Sequence, residues 1–166
     1  QKNMGPAGTT LVIVREDLLG RVDRDIPTML DYRTHIERNS AFNTPPVFPI
    51  YASMLNLRWL KSQGGVEAIQ ERNGEKAALL YQAIDESDLF TGTTKKQDRS
   101  TMNVTFVLTD DRLNDDFLKA CKNANISGIK GHRSVGGFRA SMYNALPLES
   151  VQILVDVMRD FEQKHG

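Results

Sequence analysis

Gln1-Lys2-Asn3-Met4-Gly5-Pro6-Ala7-Gly8 runs straight into Thr9-Thr10-Leu11-Val12-Ile13-Val14, and this junction decides how the chain is read. The second stretch is rich in β-branched residues and nearly continuous in apolar character, which predicts a strand buried on both faces. The first supplies glycine-rich turn chemistry and one lysine. Lysine is ordinarily a solvated surface charge. Beside a turn that leads into a buried strand it can be partly desolvated, which lowers its pKa and frees the amine for imine chemistry. Local residues alone leave both readings of Lys2 open. The opening has no initiator methionine and reads like the inside of a gene product, so a fragment or processed piece is expected.

Outward from this junction, Asp17-Leu18-Leu19-Gly20 predicts a short helical turn closed by glycine, and residues 21–41 a long polar connection. Connections of that length usually carry function. At Asn43-Thr44-Pro45-Pro46 a helix is expected, with Thr44 as N-cap and proline in the first turn, where its missing N–H costs nothing. Ile50, Met54, Leu57 and Leu60 follow helical spacing until Gly64-Gly65. A second helix is expected over Val66–Ile84 on the spacing of Ile69, Ala77, Leu80 and Ile84.

The composition changes after Asp88. Thr91–Lys96 reads as a polar turn, and Met102–Leu108 as the clearest amphipathic strand. Asp110 or Asp111 caps a helix over Leu113–Asn123. Gly128–Gly131 and Phe138–Tyr143 read as two strands around a loop, and a last helix starts at Pro147, with Val151, Leu154, Val155, Met158 and Phe161 on one stripe. Strand, helix, two strands and helix make an α+β unit with a small, mostly antiparallel sheet. Its boundary is expected near Asn73, within the second helix.

Bulk properties exclude several classes. Twenty-one basic and twenty-one acidic residues cancel, which gives no electrostatic argument for nucleic acid or an anionic membrane. No apolar run approaches the ~20 residues that span a bilayer. The single cysteine, Cys121, rules out a disulfide framework and a thiolate metal cluster, and three histidines without ligand spacing give no metal site. A reducing compartment is the simpler expectation. Cys121 itself falls on the apolar face of a predicted helix.

Two segments can bind anions. In Lys130-Gly131-His132-Arg133-Ser134-Val135-Gly136-Gly137-Phe138-Arg139, three donors surround a glycine-rich turn, and arginine's planar fork matches carboxylate or phosphate. The competing reading is a solvated hairpin turn. Arg139 resists it, since it sits between Phe138 and Ala140 in an apolar strand and requires a partner there. The Asn43-Thr44 helix start is the second, with simple capping by Thr44 as the alternative.

The opening octapeptide closely resembles the lysine segment of phosphoserine aminotransferases. Asp17–Gly20, Asn43–Pro46, Trp59–Lys61, Gly64-Gly65, Arg99–Val104, Gly131–Ser141 and Tyr143–Glu149 resemble the same family, in order and with its spacing, over essentially the whole chain. The resemblance implies an α/β, fold-type-I pyridoxal-phosphate transferase. Residues 1–72 would be the C-terminal remnant of the large α/β domain, including the interdomain helix, and 73–166 a small α+β domain. It implies a cytoplasmic homodimer with pyridoxal 5'-phosphate as cofactor, moving an amino group between O-phosphoserine and 2-oxoglutarate in serine biosynthesis. Bacterial members also act on phosphohydroxythreonine in the pyridoxine route. On this resemblance Lys2 is the catalytic, Schiff-base lysine and Gln1 lies beside the cofactor. Asn43 and Thr44 reach the cofactor phosphate of the neighbouring subunit. Arg139 clamps the substrate α-carboxylate, while His132 and Arg133 hold its phosphate end across the dimer.

In the family, the partner of the pyridine nitrogen, the stacking aromatic group and further substrate arginines precede the lysine. This chain alone is therefore expected to have little activity. Two alternatives stand beside the leading reading: a related cofactor enzyme of other specificity, such as a desulfurase, and a non-catalytic dimerisation or anion-binding module with the same fold.

Overall fold

The computed structural model describes residues 2–166, so the expectation for Gln1 lies outside the described residues. Contacts divide the chain into two compact units, Gln1–Trp59 and Leu60–Gly166. Asn73, where the small α+β domain is expected to begin, lies within the helix Gly65–Asp85 of the second unit.

In the first unit, helix α1 (Tyr32–Glu37) is started by Asp31, whose side chain accepts a hydrogen bond from the Arg33 N–H at 3.0 Å. This helix lies within the stretch expected to be an irregular connection. One capping aspartate suffices because the helix is short and its cap entirely local. The expected turn at Asp17–Gly20 appears as a single 3-10 turn, Glu16–Leu18. Helix α2 (Val47–Ser62) begins later than the sequence suggested. Its first helical hydrogen bond runs from Ile50 N–H to the Pro46 carbonyl at 3.1 Å, so Thr44 lies upstream of the helix rather than capping it. Each proline biases its predecessor to extended backbone, and two in succession hold Thr44 and Pro45 out of the helix.

Thr9–Val14 forms no strand. Val14 is half-buried, the rest are exposed, and Ile13 is 90% exposed. The apolar, β-branched character is genuine, but a strand exists only through a neighbour's hydrogen bonds, and no described segment pairs with this one.

The second unit carries the core. Helix α3 (Gly65–Asp85) and helix α5 (Leu148–His165) bury the stripes predicted for them and pack on each other. Strands β1 (Phe90–Gly92), β2 (Asn103–Leu108) and β3 (Phe138–Ser141) form an antiparallel sheet in that order. Helix α4 (Asn114–Asn123) follows a 3-10 turn capped by Asp110. The inward residues of the sheet meet the helices in a cluster of five phenylalanines: Phe90, Phe106, Phe117, Phe138 and Phe161. Their ring centroids lie 5.0–6.5 Å apart, mostly edge to face. Two details differ from expectation. Phe90–Gly92 is a strand that overlaps the start of the Thr91–Lys96 stretch read as a turn, and Gly128–Gly131 contributes only one bridge, Lys130 to Phe138.

Candidate functional site

In the first unit the lysine segment lies along one face of α2. Asn56 donates its side-chain N–H to the Asn3 carbonyl at 2.7 Å. Gly5 faces Ser53, where a Cβ would collide with the Ser53 hydroxyl, and Gly8 faces Pro49. Pro49, Ser53 and Asn56 are spaced by four and three, one row on a helix. Only glycine allows the approach at position 5, so the segment after Lys2 is fixed to α2 by backbone contact. Lys2 is exposed and has a left-handed φ of 73°. For a non-glycine residue that costs of order 1–3 kcal/mol and is characteristic of functional sites.

Asn43 and Thr44 are exposed in the non-helical stretch before α2. Asn43 donates its amide to the Met29 sulfur at 3.0 Å. A thioether is a weak acceptor that a phosphate oxygen would displace. An amine, an amide and a hydroxyl suit a phosphorylated aldehyde cofactor: the amine for its carbonyl carbon, the two neutral donors for its phosphate.

In the second unit Arg139 stands on the outward face of the sheet, directly opposite Thr105 across the β2–β3 ladder. Its backbone N–H donates to the Ile129 carbonyl at 2.7 Å. Its Nε is buried and has no hydrogen-bond partner among the described residues. Arg139 lines a cleft of about 590 Å³ between the 124–129 loop, the end of β3 and α5.

His132 and Arg133 are exposed on a loop that Gly131 N–H closes by donating to the Gly137 carbonyl at 2.8 Å. Gly137 adopts a φ of +60°, and a Cβ there would lie 2.8 Å from the Phe106 carbonyl oxygen, so the turn requires glycine. Together with α4, this loop bounds a separate hollow of about 280 Å³. The structure therefore brings His132 and Arg133 together but sets Arg139 in a different cleft.

Cys121 is fully buried, and burial pushes its thiol up to about 11, which suits packing and opposes a nucleophilic role. Among the described residues no group of three or more His, Cys, Asp or Glu could hold a metal ion. No helix of the described residues is long and apolar enough to cross a membrane.

Two polar residues of these surfaces escaped the sequence reading. Thr105 was detectable only in part: alternation in β2 turns it outward, but the register opposite Arg139 needs the fold. Ser134 contacts the His132 ring and left no signal in the sequence beyond its proximity.

Comparison with known proteins gives these surfaces a context. The Aminotransferase class-V family model matches residues 1–154. The chain is 61% identical over 164 residues to a phosphoserine aminotransferase of Flavobacterium psychrophilum, covering 99% of this chain and 46% of that protein. It is 58% identical to one of Bacteroides thetaiotaomicron, covering 99% and 47%. The phosphoserine aminotransferase structure from Bacillus circulans subsp. alkalophilus superposes with a TM-score of 0.92 at 47% identity, over 99% of this chain and 46% of that one. A pyridoxal-phosphate-bound phosphoserine aminotransferase from Trichomonas vaginalis superposes with a TM-score of 0.80 at 38% identity, over 88% and 42%. The chain spans about half the length of the curated relatives it matches. In sequence and in fold, the chain belongs to the class-V aminotransferase family.

Proposed function

We propose that the whole protein is a pyridoxal 5'-phosphate-dependent phosphoserine aminotransferase that moves an amino group between O-phosphoserine and 2-oxoglutarate. The observation that carries the reading is the buried, unpartnered Arg139 Nε on the outward face of the sheet. A guanidinium so placed is incomplete without an anion, and a substrate α-carboxylate accepts its fork in bidentate fashion. The identities of 54–61% to proteins named phosphoserine aminotransferase supply the substrate class.

When bound, the cofactor supplies the electron sink that makes the substrate α-hydrogen acidic. Lys2 holds the cofactor through its Nζ and, once displaced, carries the proton removed from the substrate α-carbon. Its left-handed backbone and the anchorage of the following residues on α2 fix the main chain from which that amine reaches. Asn43 and Thr44 hold the cofactor phosphate of the neighbouring subunit. Arg139 orients the α-carboxylate. His132 and Arg133 bind the distal anion across the dimer, which agrees with their lying in a different hollow from Arg139. A distal pair that accepts phosphate also accepts the side-chain carboxylate of glutamate.

The same reading makes the protein a cytoplasmic homodimer of serine biosynthesis, with phosphohydroxythreonine of the pyridoxine route as a further substrate. It assigns residues 1–72 to the cofactor-carrying domain and 73–166 to the small domain. Support comes from the first unit, whose exposed Phe48, Tyr51 and Leu55 on α2 call for covering surface.

Steady-state kinetics of the whole protein test the reading. Arg139→Ala raises KM for both phosphoserine and glutamate about ten- to a hundredfold, the loss of a charge-assisted pair. Arg133→Ala acts chiefly on phosphoserine, and an unchanged phosphoserine KM in that variant contradicts the assignment of the phosphate end.

A further inference from the structure

The Nδ1 atom of His132 lies 2.8 Å from the Ser134 hydroxyl oxygen and 3.3 Å from the Ser134 backbone nitrogen. The hydroxyl can donate or accept, so the first contact alone leaves the imidazole tautomer open. The second does not. A backbone N–H only donates, and the nitrogen it meets must present a lone pair. With Nδ1 as acceptor, the ring proton of a neutral imidazole sits on Nε2.

The backbone reinforces this arrangement. Val135 N–H and Gly136 N–H both donate to the His132 carbonyl, at 3.0 and 2.8 Å, which closes the turn on the histidine itself. His132 is thus held at its main chain and at Nδ1, and Nε2 is the one ring position left to serve a ligand. Ser134 is exposed and takes no part in the hydrophobic core, so its side chain has little packing role.

We propose that Ser134 is a positioning residue that fixes His132 as the neutral, Nε2-protonated tautomer, so that an uncharged N–H donor meets the distal anion of the substrate. The inference rests on the proposed role of His132 at that end. Arg133 then provides the cationic charge and His132 a directed hydrogen bond. Because the donor carries no charge, it serves a phosphate dianion and a carboxylate alike, which suits a site that must release one amino donor and accept the other.

Nitrogen-15 spectra of the whole protein labelled at histidine test the inference, with the His132 ring signals identified by their loss in His132→Gln. The wild type is expected to show an unprotonated Nδ1 and a protonated Nε2. Ser134→Ala, which leaves only the longer 3.3 Å backbone contact to hold Nδ1, is expected to show a mixture of tautomers and a phosphoserine KM raised about three- to tenfold at unchanged kcat. Ser134→Thr, which keeps the hydroxyl, restores both. A wild-type ring protonated at Nδ1, or a Ser134→Ala spectrum identical to wild type, overturns the inference. Inorganic phosphate is the ligand probe and is expected to shift the His132 Nε2 signal. If the tautomer depends on Ser134 as stated but phosphate leaves that signal unmoved, the tautomer inference stands and the phosphate-end reading falls.

Discussion

Lys76 and Arg139 are both cations set among apolar neighbours, and they differ in what they find there. Lys76 is 2% exposed and donates to the carbonyls of Met142, Tyr143 and Leu146, at 3.1, 3.0 and 3.1 Å. An ammonium has three donors, and all three are used. Arg139 keeps a buried Nε with no partner among the described residues. The first is a complete structural clamp on the turn after β3; the second leaves a buried donor unused. Lys76→Met is expected to cost about 2–4 kcal/mol by leaving buried carbonyls without donors. Urea denaturation would register that loss, while substrate KM should change little. A normal midpoint for Lys76→Met would remove the clamp from this account. Gly137→Ala should also destabilise, by about 2 kcal/mol or more, because the new Cβ meets the Phe106 carbonyl at a positive φ. A thermal melt decides it, with an unshifted transition as the contrary result.

At the scale of elements, Glu162 of α5 organises the entry to β1. Its carboxylate accepts from the Ser87 hydroxyl at 2.6 Å and from the Asp88 and Leu89 N–H groups at 2.8 and 3.2 Å. Burial opposes its ionisation, but the hydrogen bonds from Ser87, Leu89 and Asp88 outweigh burial and hold it below the usual carboxylate range. A carboxyl with a depressed folded pKa binds protons more readily in the unfolded chain. Its contribution is therefore present above the ordinary value near 4.5 and is lost as pH falls through the lowered one. Glu162→Gln is expected to flatten that part of the acid limb of stability against pH, and an unchanged limb would exclude Glu162 as its source. The same elements show what the sequence could tell. Helices α3 and α5 were legible because each buries its stripe against neighbours within this chain. Strand β1 was not, because only Phe90 of its three residues is buried and Thr91-Gly92 reads as a turn. Thr9–Val14 failed in the opposite sense: its composition was clear, but no described segment pairs with it. At the site, Arg139 was visible as a cation among apolar residues. Ser134 was not, because its role depends on a loop folding back onto His132.

Across the whole molecule, apolar burial is uneven. Every buried residue of the described chain lies between Ile69 and Phe161, whereas Leu11, Ile13, Leu30, Val47 and Phe48 are exposed. Exposed apolar surface on this scale marks a region meant to be covered. Hydrogen exchange on the 166-residue chain should accordingly find slow amides in α3, α5 and the sheet, and fast ones over residues 9–14. The same amides of residues 9–14 should become protected in the whole protein, and protection in the shorter chain would contradict this view. Borohydride reduction of the whole protein loaded with pyridoxal 5'-phosphate, followed by peptide mapping, should find one stable pyridoxyl group, on Lys2; no adduct, or an adduct on another lysine, would mean that Lys2 is not the residue that binds the cofactor.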